Sequence, residues 1–575
     1  MEYYCGEIQI NVDKLRKEAI DVEKNLGNEL LEENNILLQV KDLEIAFPSK
    51  GRLQTVVDQI SFSMKKGEIL GIVGESGSGK SMTALAIMDL LSKQAIIKGG
   101  TIDFLGTNLL SMSSEELRKQ KGNDISMIFQ EPMTSLNPLF KVGVQVEEMF
   151  KLHAKDNHNL LQAKTLDMFQ EVGLKEAEKI YQQYPHQLSG GMLQRVMIAM
   201  AMICHPKLMI ADEPTTALDV TVQAQILKLI QKLNKKYGTA VILISHDLGV
   251  IQEICKRAIV MNEGKIVESG TVKEIFHHPQ EAYTKKLLQA VPSIRMNMVS
   301  IANIEENKNE ITHKIQDSET QANDKGDDLL QVNQLSTYYD EIKRHIFTKK
   351  HKKQILKQVS ISIKPGEILG LVGESGCGKS TLAKAIVHLV EDVEGEIVLK
   401  GLKPQMVFQD PYGSVNPAKT IGWIIEEPLK IKGGYTKKER KHIVLDILGQ
   451  VGLEEKLSRR HVSQLSGGQR QRVAIAAALV TKPKLIILDE PVSALDVTVQ
   501  AQILELLLEL REKHDLSYLF ISHDLNVIYQ LCDRVCVMNQ GEIIESGLKE
   551  ELFRYPKHPY TKQLLSSIPH FSTSL

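Results

Sequence analysis

The stretch that decides the fold is Gly74-Glu75-Ser76-Gly77-Ser78-Gly79-Lys80-Ser81. It follows the apolar run Ile69–Val73 and precedes the helix-forming run Ala84–Met88. A strand, a glycine-rich loop and a helix in this order are the context of a phosphate-binding loop. Glycine lets the backbone fold around an anion with its N–H groups pointing inward, and the helix adds its dipole. We therefore expect Lys80 to reach the β and γ phosphates of a nucleotide and the Ser81 hydroxyl to hold Mg²⁺.

The same loop recurs as Gly373-Glu374-Ser375-Gly376-Cys377-Gly378-Lys379-Ser380, behind a second apolar run. The two loops lie 299 residues apart, whereas motifs nearer the end of each copy lie 277 residues apart. Most of this difference arises because 16 residues between Gly106 and Gln130 have no counterpart between Gly401 and Gln409. A repeat of this length indicates a duplicated domain, since solenoid units run only about 20–50 residues.

The repeat predicts four segments. They are an N-terminal extension (1–36), a first nucleotide-binding domain (37–292), a flexible linker (293–328) and a second nucleotide-binding domain (329–575). The linker is predicted from its acidic runs and low apolar content. No function is assigned to the extension. The basic cluster 343–353 is interpreted as a solvated loop, with a phosphate or lipid contact as the alternative.

Composition excludes several classes of protein. The chain has 575 residues and a formal net charge of −2, so the whole molecule is not built to bind nucleic acid. Its longest apolar runs, such as 196–204, fall far short of the ~18 residues that span a bilayer. No signal-peptide pattern opens the sequence, so we expect a cytoplasmic protein. The six cysteines form no CxxC pair, which argues against a zinc or disulfide framework.

A second glycine motif opens a helical run in each copy, as Leu188-Ser189-Gly190-Gly191 and Leu465-Ser466-Gly467-Gly468. A serine and two glycines at a helix start form an anion site made of backbone N–H groups. An ordinary helix cap explains one such motif equally well. Both copies carry the motif shortly before an acidic strand, which the cap alone explains poorly.

That strand is an apolar run that ends in a carboxylate pair, Asp212-Glu213 in the first copy and Asp489-Glu490 in the second. Open α/β sheets bind ligands at the carboxyl ends of their strands. We expect each aspartate to hold Mg²⁺ through its water shell and each glutamate to polarise the attacking water. A structural salt bridge is the alternative interpretation. His246 and His523 follow the next apolar run and can donate to a γ-phosphate, although a lone histidine there is more often a cap or core residue.

These motifs, together with Gln130 and Gln409 after apolar strands, resemble the ATP-binding cassette (ABC) proteins in both copies. Within that family the chain is similar to the oligopeptide, dipeptide and nickel importer ATPases. The similarity rests on Phe129–Pro138 and Phe408–Pro417 and on the tails His278–Thr284 and His558–Thr561. The resemblance implies an α/β fold with two P-loop NTPase domains of the ABC type. Each would have a RecA-like core, an antiparallel β subdomain and a helical subdomain.

The resemblance also implies a set of functional residues with ATP and Mg²⁺ as cofactors. The nucleotide-binding set is Phe47 and Tyr339, which would stack on adenine, Gly74, Glu75, Ser76, Gly77, Ser78, Gly79, Lys80, Ser81, Met82, Gly373, Glu374, Ser375, Gly376, Cys377, Gly378, Lys379, Ser380, Thr381, Ser189, Gly190, Gly191, Ser466, Gly467 and Gly468. The catalytic set is Glu213, Glu490, His246, His523, Gln130 and Gln409, and the metal set is Ser81, Gln130, Asp212, Ser380, Gln409 and Asp489. It implies a head-to-tail sandwich in which the Ser-Gly-Gly motif of one copy closes the ATP site of the other.

The resemblance implies partners and a location as well. We expect two membrane permease subunits that dock near Gln130 and Gln409 and, through them, an extracellular solute-binding protein. The chain would be peripheral at the cytoplasmic face of the membrane and would not bind nucleic acid. The cargo would be a di- or oligopeptide or a related small solute such as nickel. The alternative is a soluble twin-cassette ATPase that acts on ribosomes or DNA, which the importer-like tails and the acidic linker disfavour.

Two departures from the family pattern and one cysteine give further expectations. The 16-residue loss before Gln409 predicts a shorter outer sheet in the second copy. The cysteine-bearing C-terminal extension common among these importers is not visible after Thr284 or Thr561, so no iron–sulfur cluster is expected. Cys377, in the second phosphate loop at a helix start, is predicted to favour its thiolate and to be shielded from maleimide by MgATP.

Overall fold

The computed structural model describes residues 35–49, 52–153, 158–215, 218–290, 328–340, 352–493 and 495–566. The chain forms two compact units, and each contains one of the two phosphate loops. The predictions for most of the N-terminal extension, of the linker and of the basic cluster 343–353 lie outside the described residues. The two halves are described separately below.

The described part of the first half contains ten strands and eleven α-helices. The strands are β1 (Ile36–Ser49), β2 (Arg52–Lys65), β3 (Ile69–Val73), β4 (Ile96–Phe104), β5 (Thr107–Asn108), β6 (Ile125–Ile128), β7 (Leu208–Asp212), β8 (Ala240–Ile244), β9 (Arg257–Asn262) and β10 (Lys265–Thr271). The helices are α1 (Lys80–Ile87), α2 (Ser114–Gln120), α3 (Pro132–Ser135), α4 (Val142–His153), α5 (His158–Glu171), α6 (Ala177–Tyr181), α7 (Gly190–Met202), α8 (Val220–Tyr237), α9 (Leu248–Ile254), α10 (Val272–His277) and α11 (Ala282–Ala290). Short 3-10 helices cover Leu109–Ser111 and Pro185–Gln187.

The central sheet of the first half has six strands in the order β10-β9-β3-β8-β7-β6. All neighbours are parallel except the edge strand β10, which pairs antiparallel with β9. Every residue of β7 and β8 is buried, as expected for apolar runs in a parallel sheet covered on both faces. The phosphate loop leaves the carboxyl end of β3, and Asp212 ends β7. Because these strands are parallel, their carboxyl ends place the phosphate loop and Asp212 at the same edge of the sheet.

A second sheet of four antiparallel strands, in the order β2-β1-β4-β5, packs beside the central sheet. Its inward-facing side chains, such as Leu38 and Ile45, join the hydrophobic cluster that also holds Ile72 and Ile210 of the central sheet. Helices α4, α5 and α6 contact one another, and α4 and α5 also contact α7. The three helices form a separate helical layer between β6 and α7 in the chain. The predicted core, antiparallel β subdomain and helical subdomain are all present.

The described part of the second half contains nine strands and eight α-helices. The strands are β11 (Leu330–Asp340), β12 (Lys352–Ile363), β13 (Ile368–Val372), β14 (Val393–Leu399), β15 (Gln405–Val407), β16 (Leu485–Asp489), β17 (Ser517–Ile521), β18 (Arg534–Asn539) and β19 (Glu542–Leu548). The helices are α12 (Lys379–Ile386), α13 (Ile421–Lys432), α14 (Lys437–Gln450), α15 (Gly467–Leu479), α16 (Val497–His514), α17 (Leu525–Leu531), α18 (Lys549–Arg554) and α19 (Pro559–Ser566). Short 3-10 helices cover Glu455–Arg459 and Val462–Gln464.

The central sheet of the second half repeats the first, in the order β15-β16-β17-β13-β18-β19 with only β19 antiparallel. The outer sheet is shorter. It has three strands, β12-β11-β14, and among the described residues nothing in this half corresponds to β5, to the 3-10 turn Leu109–Ser111 or to α2. The chain passes from β14 to β15 in five residues, Lys400–Pro404, so the 16 missing residues have removed these elements.

Candidate nucleotide sites

The first phosphate loop wraps around the end of its own lysine. Lys80 Nζ donates hydrogen bonds to the carbonyl oxygens of Gly74 and Glu75, both at 2.8 Å, and lies 3.4 Å from Ser78 Oγ. Gly74 has φ 150°, and a Cβ there would lie 2.2 Å from the carbonyl oxygen of Met261 in β9. Glycine is thus required at this position both for its conformation and because the next strand passes so close.

The second loop has the same geometry. Lys379 Nζ donates to the carbonyl oxygens of Gly373 and Glu374 at 2.7 and 2.9 Å. Gly373 has φ 154°, and a Cβ there would lie 2.2 Å from the carbonyl oxygen of Met538. Both lysines are buried, and carbonyl oxygens of its own loop hold each ammonium group in place.

A serine and an aspartate meet at the carboxyl edge of each central sheet. Ser81 Oγ donates to Asp212 Oδ1 at 3.2 Å, and Ser380 Oγ donates to Asp489 Oδ1 at 3.1 Å. Burial, helped by the charge of the following glutamate, raises the pKa of both aspartates above the usual range, although the serine hydrogen bond opposes this. A cation at this edge would favour the ionised form of each aspartate.

The residues here fit Mg²⁺ on the chemistry of their donors. Hydroxyl, carboxylate and side-chain amide oxygens are hard ligands, and Mg²⁺ is usually bound by one or two carboxylates together with phosphates and water. Within the described residues, no group of three or more His, Cys, Asp or Glu side chains gathers into a metal site. With one hydroxyl and one carboxylate at hydrogen-bond distance, the edge suits an ion that takes its remaining ligands from phosphate oxygens and water.

Two side chains, a glutamine and a histidine, contact each predicted catalytic glutamate. Gln130 Nε2 donates to Glu213 Oε2 at 2.9 Å, and His246 Nδ1 lies 3.2 Å from the same oxygen. In the second half, Gln409 Nε2 donates to Glu490 Oε2 at 2.8 Å, and the histidine, His523, again lies at 3.2 Å. The glutamine leaves the strand at one edge of the sheet, and the histidine follows the strand on the other side of the glutamate. The sheet thus assembles residues that are far apart in sequence.

Both glutamates have a backbone conformation that L-residues rarely adopt. Glu213 has φ 50° and Glu490 has φ 48°. Their N–H groups donate to the carbonyl oxygens of Ile244 and Ile521, at 2.9 and 3.0 Å, which fixes the turn after each acidic strand. Such conformations cost about 1–3 kcal/mol and concentrate at functional sites. The turn that carries each carboxylate is thus the same in both halves.

The electrostatics of the second cluster favour a charged pair. Burial by itself raises the pKa of Glu490, but its hydrogen bond and charge interaction with His523, together with the charge of Lys379, bring the pKa below its usual value. Burial likewise disfavours protonated His523, but the contact with Glu490 raises the pKa of His523 above its usual value. The glutamate is therefore ionised at neutral pH, as a hydrogen-bond acceptor toward water must be.

The Ser-Gly-Gly motifs form the starts of α7 and α15. Ser189 Oγ accepts the N–H of Met192, and Ser466 Oγ accepts the N–H of Gln469, both at 3.4 Å. Each serine is thus an N-cap, as the simpler of the two interpretations predicted. Ser189, Gly190, Ser466 and Gly467 are exposed, which leaves the amino ends of these helices accessible as well.

The remaining predicted nucleotide-binding residues lie around the loops. Met82 and Thr381 are half-buried in the first turns of α1 and α12. Phe47 and Tyr339 occupy equivalent places near the ends of β1 and β11. The side chain of Phe47 is partly buried and packs against the hydrophobic cluster, whereas Tyr339 is 43% exposed.

The structure corrects one prediction. Burial raises the pKa of the Cys377 thiol, and the nearby Lys379 does not outweigh it. Cys377 is only 7% exposed, and its Sγ lies 3.9 Å from Lys379 Nζ. The expectation of a thiolate-favouring site was therefore wrong, because the loss of hydration exceeds the attraction of the lysine.

Sequence reasoning missed a contact between each phosphate loop and the C-terminal tail of its own half. The N–H of Glu75 donates to Tyr283 Oη at 3.2 Å, and the N–H of Glu374 donates to Tyr560 Oη at 2.9 Å. Burial raises the pKa of Tyr560 to about 12, so this hydroxyl keeps its proton at neutral pH. The two tyrosines are 277 residues apart, like the aspartates and histidines of the sites. That shared register was the signal in the sequence that could have marked the two tyrosines as functional residues.

Comparison with protein families decides the assignment. The family model described as "ABC transporter" matches residues 57–216 and 356–493. The chain belongs to the ABC transporter family. The model described as "Oligopeptide/dipeptide transporter, C-terminal region" also matches twice, at 267–317 and 544–574. The first of these matches extends into the predicted linker, and neither stretch contains a cysteine.

Individual relatives of this ABC protein are similar over nearly its whole length. The glutathione import ATP-binding protein GsiA of Pectobacterium atrosepticum is 42% identical over 559 residues, which cover 93% of this chain and 89% of that protein. The protein of the same name from Escherichia coli O157:H7 is 43% identical over 566 residues, with the same coverage. A solved ATP-binding cassette dimer in a post-hydrolysis state with ADP and Pi is 26% identical, covers 41% of this chain and 99% of its own, and has a TM-score of 0.38.

These findings confirm the predicted ABC fold and the prediction of an ATP-hydrolysing subunit of an importer in the peptide group. They support this function over the alternative ATPase that acts on ribosomes or DNA. An importer ATPase works with membrane permeases, so permease partners follow from the family. Across the described residues, no helix is both long enough and apolar enough to cross a membrane.

Proposed function

We propose that this protein hydrolyses ATP at two equivalent sites to drive the import of a small peptide of the size of glutathione. The observation that carries the two-site proposal is the cluster of glutamate, glutamine and histidine, which recurs with nearly the same distances in both halves. The two relatives described above are named glutathione importers, which supports a short peptide as the cargo.

In this proposal one set of residues binds the nucleotide, a second activates the attacking water and a third senses the γ-phosphate. The N–H groups of each phosphate loop and its lysine bind the phosphates, and Phe47 or Tyr339 stacks on the adenine. Glu213 or Glu490 accepts a hydrogen bond from the attacking water and takes its proton. His246 or His523 donates toward the γ-phosphate while it orients the glutamate.

Mg²⁺, when bound, would neutralise charge on the phosphate oxygens. Ser81 with Asp212, and Ser380 with Asp489, would hold it, joined by Gln130 and Gln409. Each glutamine also donates a hydrogen bond to the catalytic glutamate. A change at the glutamine when nucleotide binds can therefore be passed to that glutamate. The exposed Ser-Gly-Gly helix starts would each close the nucleotide of the other half, as in the sandwich that the family resemblance implies.

The partners in this proposal are two permeases at the cytoplasmic face of the membrane and a solute-binding protein outside it. In the first half, a groove of about 520 Å³ is lined in part by Phe129, the residue before Gln130 in the chain. Its apolar lining includes Met127, Phe129, Met149 and Leu152. Flexible methionine side chains adapt to apolar surfaces of different shape. We assign this groove to an amphipathic cytoplasmic segment of a permease.

The assignment of the groove predicts a selective loss of assembly. Leu152 lines the groove and is 60% exposed, so Leu152→Asp should weaken co-purification of the permeases at least about tenfold, while ATP hydrolysis by the purified chain changes less than twofold. Leu160→Asp is the matched control, because Leu160 is also exposed, at 46%, but does not line the groove. Equal recovery of permeases with both variants would contradict the assignment.

The cargo is tested in cells that depend on this transporter. Uptake of labelled glutathione, a dipeptide and Ni²⁺ should be compared in cells with the intact chain and with the Glu213→Gln, Glu490→Gln variant. We expect glutathione or a short peptide to enter only with the intact chain. Uptake of Ni²⁺ alone, or no difference between the two chains for any solute, would refute the proposed cargo.

A further inference from the structure

The C-terminal tail of each half is fastened to its central sheet before it reaches the phosphate loop. Glu268 in β10 accepts the N–H groups of Gln280 and Glu281, at 2.8 and 3.4 Å. Thr284 and Leu287 of α11 are 1% and 4% exposed, so one face of this helix is anchored in the protein. The intervening Tyr283 is consequently held in a fixed place.

The second half repeats these contacts at equivalent positions. Glu545 in β19 accepts the N–H groups of Lys557 and His558, at 2.8 and 3.0 Å. Thr561 and Leu564 of α19 are 0% and 5% exposed. The agreement extends over a tail whose sequence differs, since Glu281 and Ala282 stand where the second half has a histidine and a proline. The tyrosine is kept at the same place in both tails, together with the buried threonine that follows it.

Each tyrosine hydroxyl contacts one particular peptide group of the loop. The group that links Gly74 to Glu75 donates its N–H to Tyr283 Oη at 3.2 Å and accepts Lys80 Nζ on its carbonyl oxygen at 2.8 Å. A trans peptide places these two polar ends on opposite sides. The tyrosine and the lysine therefore hold the same peptide from its two sides.

The peptide between Gly373 and Glu374 is held in the same way. Its N–H donates to Tyr560 Oη at 2.9 Å, and its carbonyl oxygen accepts Lys379 Nζ at 2.7 Å. A lysine that binds phosphate has to exchange these carbonyl contacts for phosphate oxygens. The orientation of this peptide therefore bears on how easily the lysine and the loop adapt to a nucleotide.

We propose that Tyr283 and Tyr560 are positioning residues through which the C-terminal region of each half sets the affinity of its phosphate loop for ATP. The hydroxyl fixes the first peptide of the loop, so the loop is ordered before ATP arrives and less ordering remains to be done on binding. This inference rests on the proposed assignment of the two loops as the ATP sites. It adds one residue in each half that lies outside the phosphate loops, the Ser-Gly-Gly motifs and the catalytic residues.

The test replaces the hydroxyl and keeps the ring. In the full-length chain, Tyr283→Phe with Tyr560→Phe should raise the KM for ATP about three- to tenfold, the range that the loss of one hydrogen bond gives, with kcat changed less than twofold. Amide hydrogen exchange should become faster in the peptides that contain Glu75 and Glu374. Tyr555→Phe is the control, because Tyr555 is 63% exposed and lies just before α19.

Each outcome bears on the proposal separately from the assignment of the sites. An unchanged KM and unchanged exchange in the double phenylalanine variant would overturn it, and so would an equal effect of Tyr555→Phe. A fall in kcat without a change in KM would also contradict a role in affinity. Lys80→Ala with Lys379→Ala tests the assignment of the loops: if that variant still binds ATP, the assignment itself fails, whatever the tyrosine variants show.

Discussion

The catalytic edges of the two halves have nearly the same distances, whereas their outer sheets differ by a strand and a helix. The serine–aspartate distances are 3.2 and 3.1 Å, the glutamine–glutamate distances are 2.9 and 2.8 Å, and both histidine–glutamate distances are 3.2 Å. The loss of β5 and α2 from the second half has not moved these groups. The chemistry depends on the central sheet, which is the same in both halves.

The difference falls on the surface that the first half would offer to a permease. Glu115 and Arg118 of α2 line the groove of the first half together with Gly122. The described part of the second half has no helix that could form this wall. A surface contact can change in this way without cost to hydrolysis, so the two halves are free to recognise different permeases while they share one catalytic arrangement.

The largest expected effect tests whether the two catalytic edges are equivalent. Glu213→Gln with Glu490→Gln should lower ATP turnover at least about 100-fold, because the amide cannot take the proton of the attacking water, and should leave ATP binding intact. Each single variant should lose activity by the same factor as the other. Steady-state phosphate release and equilibrium nucleotide binding measure the two quantities. If one single variant were inactive and the other fully active, the halves would not be equivalent.

A smaller effect is expected where both loops depend on glycine. Gly74→Ala and Gly373→Ala should each weaken ATP binding at their own site about ten- to hundredfold, because the added Cβ would lie 2.2 Å from a carbonyl oxygen. The controls are Gly77→Ala and Gly376→Ala, where a Cβ meets no atom within 4 Å and only the positive φ opposes the change. Binding of a fluorescent ATP analogue measures the difference. Equal losses at the crowded and open positions would contradict this explanation.

Local patterns in the sequence were sufficient to predict most of the fold. The apolar runs before Gly74 and before Asp212 became buried parallel strands, and the loss before Gln409 became a shorter sheet. These predictions succeeded because each depends on residues that are close together in the chain. The duplication helped further, since a motif that occurs twice in the same register is rarely accidental.

The features that sequence could not supply depend on contacts between distant residues. The hydroxyl of Tyr283 accepts a hydrogen bond from the N–H of Glu75, which is 208 residues away, so no local pattern reveals the contact. The left-handed conformation of Glu213 follows from its N–H bond to Ile244 on the neighbouring strand. Cys377 was misjudged for a related reason: its place beside a lysine at a helix start was visible in sequence, but its burial was not.

The smallest expected effect concerns the position where the loops differ, serine in the first and cysteine in the second. Because burial raises the pKa of Cys377, its thiolate stays a minor species, and its reaction with maleimide should be slower than that of free cysteine at pH 7. The rate should still rise with pH between pH 7 and 9, since the raised pKa keeps the thiol mainly protonated over this range. Peptide mass spectrometry of the labelled chain measures this rate, and Cys377→Ser, which restores the serine of the first loop, identifies the signal. A rate that is fast at pH 7 and independent of pH would mean that Lys379 dominates over burial, and the two loops would then differ electrostatically as well as in sequence.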